Sequence, residues 1–190
     1  MIYLATWEVK KTMTDALLEL YRHKTWATLR LIEYCHGLAD EHLDATIPGT
    51  FGTIRETLRH LVGADEGYFS LLTRKRSSEP LPDGLVKLDD LPDGPIPLDE
   101  LAKRTRLLAP RWELLAQDTD LPGREVTTTD GWRVPGAVPM AQAIHHADDH
   151  RSHVLSILGA RGLDAPEPNG LDLWGYAEAL GLMKPVGAST

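Results

Sequence analysis

The residues with the clearest capacity for chemistry are histidines. Five of the eight fall at His60 and within the run His145-His146-Ala147-Asp148-Asp149-His150-Arg151-Ser152-His153. On a helix, His146 and His150 project from one face about one turn apart, a spacing that lets two imidazoles reach one metal ion. His153 lies three residues beyond His150 and seven beyond His146 and so shares that face. His145 is rotated by about 100° from His146, and Asp149, four residues on, is its natural surface partner. The same histidine spacing serves metallopeptidases of the His-Glu-x-x-His type, in which the glutamate is the general base. Here Ala147 follows His146, so that base is absent and a peptidase of this kind is excluded. Spacing alone fits either a metal-binding pair or a hydrogen-bonded pair at a helix boundary. A buried pair without partners would cost roughly a few kcal/mol. His60 favours the metal, because its helical neighbours Leu61, Ala64 and Phe69 are not those of a fully solvated side chain.

These residues require helices to position them. Residues 12–38 carry Leu17, Leu18, Tyr21, Thr25, Leu29, Ile32 and Leu38 at helical spacing, with Thr14 and Asp15 as starting caps and Gly37 near the end. Residues 44–52 read as a loop through Pro48, Gly49 and Gly52. A second helix is expected over 53–75, opened by a capping box of Thr53 and Glu56 and buried along Ile54, Leu58, Leu61, Val62, Phe69 and Leu72. Residues 79–97 are rich in proline and read as a long irregular connection. A third helix is expected over 98–117, kinked or divided at Pro110. Residues 124–134 are rich in β-branched side chains around Asp130-Gly131 and predict a short hairpin. The fourth helix spans 137–160, and a short terminal helix spans 171–182.

Length and composition set the frame. The 190 residues fit a single domain spanning 1–190, large enough to bury a core without disulfides. A formal charge of −8, from 28 acidic and 20 basic residues, disfavours nucleic-acid binding, which needs a basic footprint. The basic cluster Arg74-Lys75-Arg76 reads as a helix C-terminal end. No stretch approaches the roughly 18 apolar residues that span a bilayer, and no signal peptide is apparent, so a cytoplasmic location is expected. The single cysteine, Cys35, sits in an amphipathic pattern and reads as a core residue rather than a nucleophile.

Two segments together resemble the DinB/YfiT-like metalloenzyme family. Gly49 to Glu66 is similar to the family's second-helix motif, a Phe-Gly-Ser/Thr-Ile turn leading into a helix with His-Leu/Ile and Ala-Asp/Glu. His146-x-x-x-His150-Arg151-Ser152-His153 is similar to the fourth-helix motif, commonly His-x-x-x-His-Arg-Gly-Gln. The resemblance implies an all-α fold, an up-and-down four-helix bundle with a short β-hairpin before the fourth helix and a short C-terminal helix. It implies a divalent metal, nickel or zinc, on His60, His146 and His150, and a homodimer. It also implies transfer or isomerisation of a small-molecule substrate, with a low-molecular-weight thiol such as mycothiol or bacillithiol as cosubstrate. A metal-dependent hydrolase and a non-catalytic metal- or ligand-binding protein are the alternatives. The chain departs from the pattern at Ser152 and His153. His153 is then a candidate fourth ligand, ligand-orienting group or substrate contact. Glu56 and Asp149, each one turn from a metal histidine, are candidates to orient the ligands.

Overall fold

The structure is a computed structural model that describes residues 3–73, 81, 85–92, 94–164, 166 and 170–183, with side chains from residue 16 onward. Among these residues the chain forms six α-helices, α1 (Tyr3–His36), α2 (Asp40–Leu43), α3 (Ile54–Thr73), α4 (Leu98–Gln117), α5 (Ala137–Ala160) and α6 (Leu173–Ala179). One antiparallel hairpin, β1 (Glu125–Thr127) and β2 (Arg133–Pro135), precedes α5 and pairs Val126 with Val134. The all-α class expected from the sequence therefore holds. The cluster Arg74-Lys75-Arg76 lies outside the described residues.

Local chemistry explains most boundaries. Thr53 and Glu56 form the expected capping box: the Thr53 N–H donates to Glu56 Oε2 at 2.8 Å, and the Glu56 N–H to Thr53 Oγ1 at 3.2 Å. Gly131, at φ 89, turns the hairpin in a backbone conformation that a side chain would disfavour. Two expectations about helix boundaries need correction. Helix α1 begins at Tyr3 rather than near residue 12, because no glycine or proline interrupts the chain from there to His36. Thr14 and Asp15 thus lie inside the helix and do not cap it. Helix α4 is not divided at Pro110. The proline removes one backbone donor, and burial of Leu108, Trp112 and Ala116 carries the helix past it.

The four long helices pack chiefly as α1 on α4 and α5, and α3 on α5 and α4. Their directions follow from paired contacts. Arg22 Nε donates to Glu113 at 2.9 Å and His36 meets Asp99 at 3.4 Å, so α1 and α4 are antiparallel. The Tyr21 hydroxyl donates to the Met140 carbonyl at 3.0 Å and Arg151 donates to Thr28 at 3.2 Å, so α1 and α5 run together. Tyr68 packs on His146 and Phe51 on His150, so α3 opposes α5. Helices α3 and α4 therefore point the same way, and the alternating up-and-down order expected from the sequence does not hold. The connection between α3 and α4 is long enough to carry the chain back to the end from which α3 started.

Two apolar clusters fill the interior. One holds Ala27, Leu31, Ile54, Leu58, Leu61, Leu101, Val154 and Ile157, and the other holds Tyr21, Phe69, Leu108, Trp112, Met140 and Ala143. A polar layer lies between them. Lys24 of α1 pairs with Asp65 of α3, and Asp65 also accepts the Trp112 indole N–H at 3.0 Å. Arg151 of α5 donates to the Lys24 carbonyl at 3.3 Å and pairs with Asp148. Lys24 and Arg151 are both buried, and each has an oxygen acceptor, as the cost of burying a charge requires. Through α1, this layer links the two helices that carry the histidines. None of the described helices is long and apolar enough to cross a membrane.

Candidate metal centre

Helices α3 and α5 bring His60, His146 and His150 together. One ligand atom from each falls within 4.8 Å of the others, and His60 Nε2 stands 3.1 Å from His146 Nε2. Two nitrogens bound to one tetrahedral ion at about 2.0–2.1 Å would stand roughly 3.3 Å apart, so this separation suits a shared ion. His150 Nδ1 is buried with no hydrogen-bond partner. The His150 ring lies 4.7 Å from that of His60 and 4.2 Å from that of His146, centroid to centroid. The donor set therefore fits a divalent metal.

Electrostatics hold the rings in the form that binds metal. Burial pushes the His146 pKa down to about 4, and the neighbouring His60 adds to the shift. Burial also lowers His150 to about 4, helped by His146, His60 and His153. His60 is lowered by burial and partly restored by the negative charge of Asp89. Neutral imidazoles at ordinary pH can donate lone pairs without first losing protons.

Aromatic rings wall the triad. Phe51 stacks on His60 with centroids 4.0 Å apart and meets His150 edge-on at 5.1 Å. Tyr68 closes the other side, 5.7 Å from His146. Beside Phe51 an open cleft of about 940 Å³ is lined by His60, Arg55, Arg59, Glu56, Asp89 and Ile96, among others. His60 is the member of the triad that reaches this cleft.

The sequence matches the family model described as DinB family over residues 13–177. The chain belongs to the DinB family. The fold of this DinB protein is similar to that of a DinB-like protein from Bacillus cereus, with a TM-score of 0.59 and 18% identity over 81% of this chain and 96% of that one. A search of curated proteins finds no match.

The other candidates fall in different places. His153 stands beside His150, with ring centroids 5.2 Å apart, and its Nδ1 is buried without a partner. It lies outside the set of three that converge within 4.8 Å. Glu56 is committed to the capping box, and no hydrogen bond joins it to His60 among the described residues. Asp149 faces His145 at 3.7 Å on the exposed side of α5, the pairing expected from their spacing. Cys35 is buried, and desolvation pushes its thiol up to about 12, so it is a core residue. Sequence reasoning passed over Phe51 as a packing group and Asp89 altogether. Asp89 sits in an irregular proline-rich stretch, where no periodicity points to a neighbour.

Proposed function

We propose that this DinB protein is a metal-dependent enzyme in which His60, His146 and His150 hold a divalent ion, nickel or zinc. The convergence of three imidazoles kept neutral by burial, beside an open cleft, carries this reading. When bound, the ion supplies a Lewis acid that lowers the pKa of a thiol or water, and three neutral ligands leave its charge uncompensated. The reaction we favour is transfer or isomerisation on a small molecule with a low-molecular-weight thiol, such as mycothiol or bacillithiol, as cosubstrate. The chain's own residues bind and orient. Phe51 shields one face of His60 from water, and the cleft admits the substrate along that side. His153, next to His150, is a contact for the substrate or for the ligand shell. The same reading takes the four long helices as a bundle and the protein as a homodimer.

Cobalt substitution tests the proposal. Adding the thiol should change the ligand-field spectrum of the cobalt form of the wild type, with no such response in a His150→Ala variant. Thiol binding that persists unchanged in His150→Ala would rule out a metal-dependent thiol reaction. A spectrum indifferent to thiols, together with metal-dependent ester or amide cleavage, would favour the hydrolase.

A further inference from the structure

A metal-bound histidine ordinarily gives its second ring N–H to a carboxylate, a carbonyl or a water, which fixes the ring and its tautomer. His60 Nε2 faces His146, which leaves Nδ1 as its second nitrogen. Neither carboxylate singled out from the sequence serves it, since Glu56 closes the helix cap and Asp149 faces His145.

We infer that Asp89 is the positioning residue for His60, accepting the Nδ1 proton through one bridging water in the cleft that both residues line. The inference rests on the metal reading above. Asp89 lies in a single 3-10 turn, Leu88–Asp90, and the approach of this turn to α3 is fixed at several points. Leu88 is fully buried, and its N–H donates to Glu66 Oε2 at 2.8 Å. Glu66 is itself fully buried and is held by Arg104 of α4 at 3.0 Å. Arg104 also donates to the Val86 carbonyl at 3.0 Å. Arg59, the residue before His60, donates to the carbonyls of Leu88 and Pro92 at 3.3 Å each. The turn that carries Asp89 is thus fastened to the turn of helix that carries His60.

Gly63 supplies an independent observation. It lies three residues after His60, on the same face of α3. A Cβ built at Gly63 would stand 2.7 Å from Asp89 Oδ1, so the exposed carboxylate rests against the bare backbone of Gly63. Among the described residues no hydrogen bond or ion pair occupies Asp89, whereas its neighbour Asp90 pairs with Lys87 at 3.4 Å. The Asp89 carboxylate lines the same cleft as His60. It also places an anion near an ion whose three ligands are neutral. Asp89 lies outside the set of atoms within 4.8 Å, so it orients a ligand and does not serve as one.

The test uses the full chain without a polyhistidine tag. Zinc affinity is measured by chelator competition and the ligand field by cobalt spectroscopy, in the wild type, Asp89→Asn, Asp90→Asn and Gly63→Ala. Asp89→Asn should weaken zinc at least about tenfold and shift the cobalt spectrum. Asp90→Asn, with the same charge change one residue away, should stay within about twofold, as distant surface charges are screened. Gly63→Ala should displace the carboxylate and weaken zinc in the same direction, and it carries the test if Asp89→Asn fails to fold. Wild-type affinity and spectrum in Asp89→Asn would overturn the assignment, as would an equal loss in Asp90→Asn. A wild type that binds no zinc or cobalt would overturn the metal reading, and this assignment with it.

Discussion

The α3–α5 pair and the connection between α3 and α4 deliver groups to the same site by different means. On the helices, His60, His146 and His150 project from rods locked by apolar burial on both sides of a polar layer. Many side chains share that load, so the loss of one contact moves a histidine little. Among its described residues the connection buries Leu81 and Leu88 and packs Leu85, Leu91 and Ile96 part-buried against the core. Its described part is also held by directed polar contacts, Glu66 with Arg104 and Leu88, and Arg59 with backbone carbonyls. Such contacts act in concert and leave a buried charge unpaired when one partner is removed. The helices therefore hold the histidines through many shared apolar contacts, while the connection holds its carboxylate through a few polar contacts around Glu66, Arg104 and Arg59.

The largest effect should come from the α3–α4 ion pair that anchors the connection. Arg104→Met leaves Glu66 buried and unpaired, and should cost about 3–5 kcal/mol of stability by chemical denaturation. Hydrogen exchange at the Leu88 amide should accelerate in the same variant. A loss under about 1 kcal/mol would show that the pair is not the anchor. Next, His150→Ala should weaken metal binding by more than about 100-fold, or roughly 2.8 kcal/mol, while the metal-free protein keeps the helical circular dichroism of the wild type. A variant that binds normally would remove His150 from the ligand set. Chelation of the wild type should lower the melting temperature, since metal at 100 times its Kd adds about 2.7 kcal/mol to the folded state.

Smaller effects concern protons and thiols. In the metal-free protein burial lowers the pKa of His146 and His150 to about 4, against about 6.5 when unfolded. The unfolded chain therefore binds more protons between those values, and stability should fall as pH drops from about 6.5 towards 4. Denaturation midpoints of the metal-free wild type over that range should decline more steeply than those of the His146→Ala variant. Equal slopes would mean that these rings do not carry the effect. Smallest of all, Cys35 should resist alkylation in the folded protein at pH 8 and react only on unfolding, because burial holds its thiol at about 12.

What was legible in the sequence follows the same division. The His146–His150 pair was readable because helical periodicity fixes which side chains share a face, and α5 occupies the span its pattern marks out, whereas His60, on another helix, joined the pair through the family resemblance. The capping box at Thr53 and Glu56 was readable for the same local reason, and recognising it is also what removes Glu56 from the histidines. The start of α1 was missed because the chain before residue 12 carries no stop signal and a weak apolar pattern. The relative direction of α3 and α4 was missed because it depends on where the connection runs. That path is decided by long-range pairs such as Glu66 with Arg104, and residue spacing cannot show them. Asp89 was hidden by the same ignorance of path.

The most direct measurement is elemental analysis of the full chain, purified without a polyhistidine tag and dialysed against zinc or nickel and then against metal-free buffer. The expected result is one divalent ion per chain in the wild type and none in the His60→Ala/His146→Ala/His150→Ala variant. A folded wild type that retains no ion, or a triple variant that retains one, would contradict it.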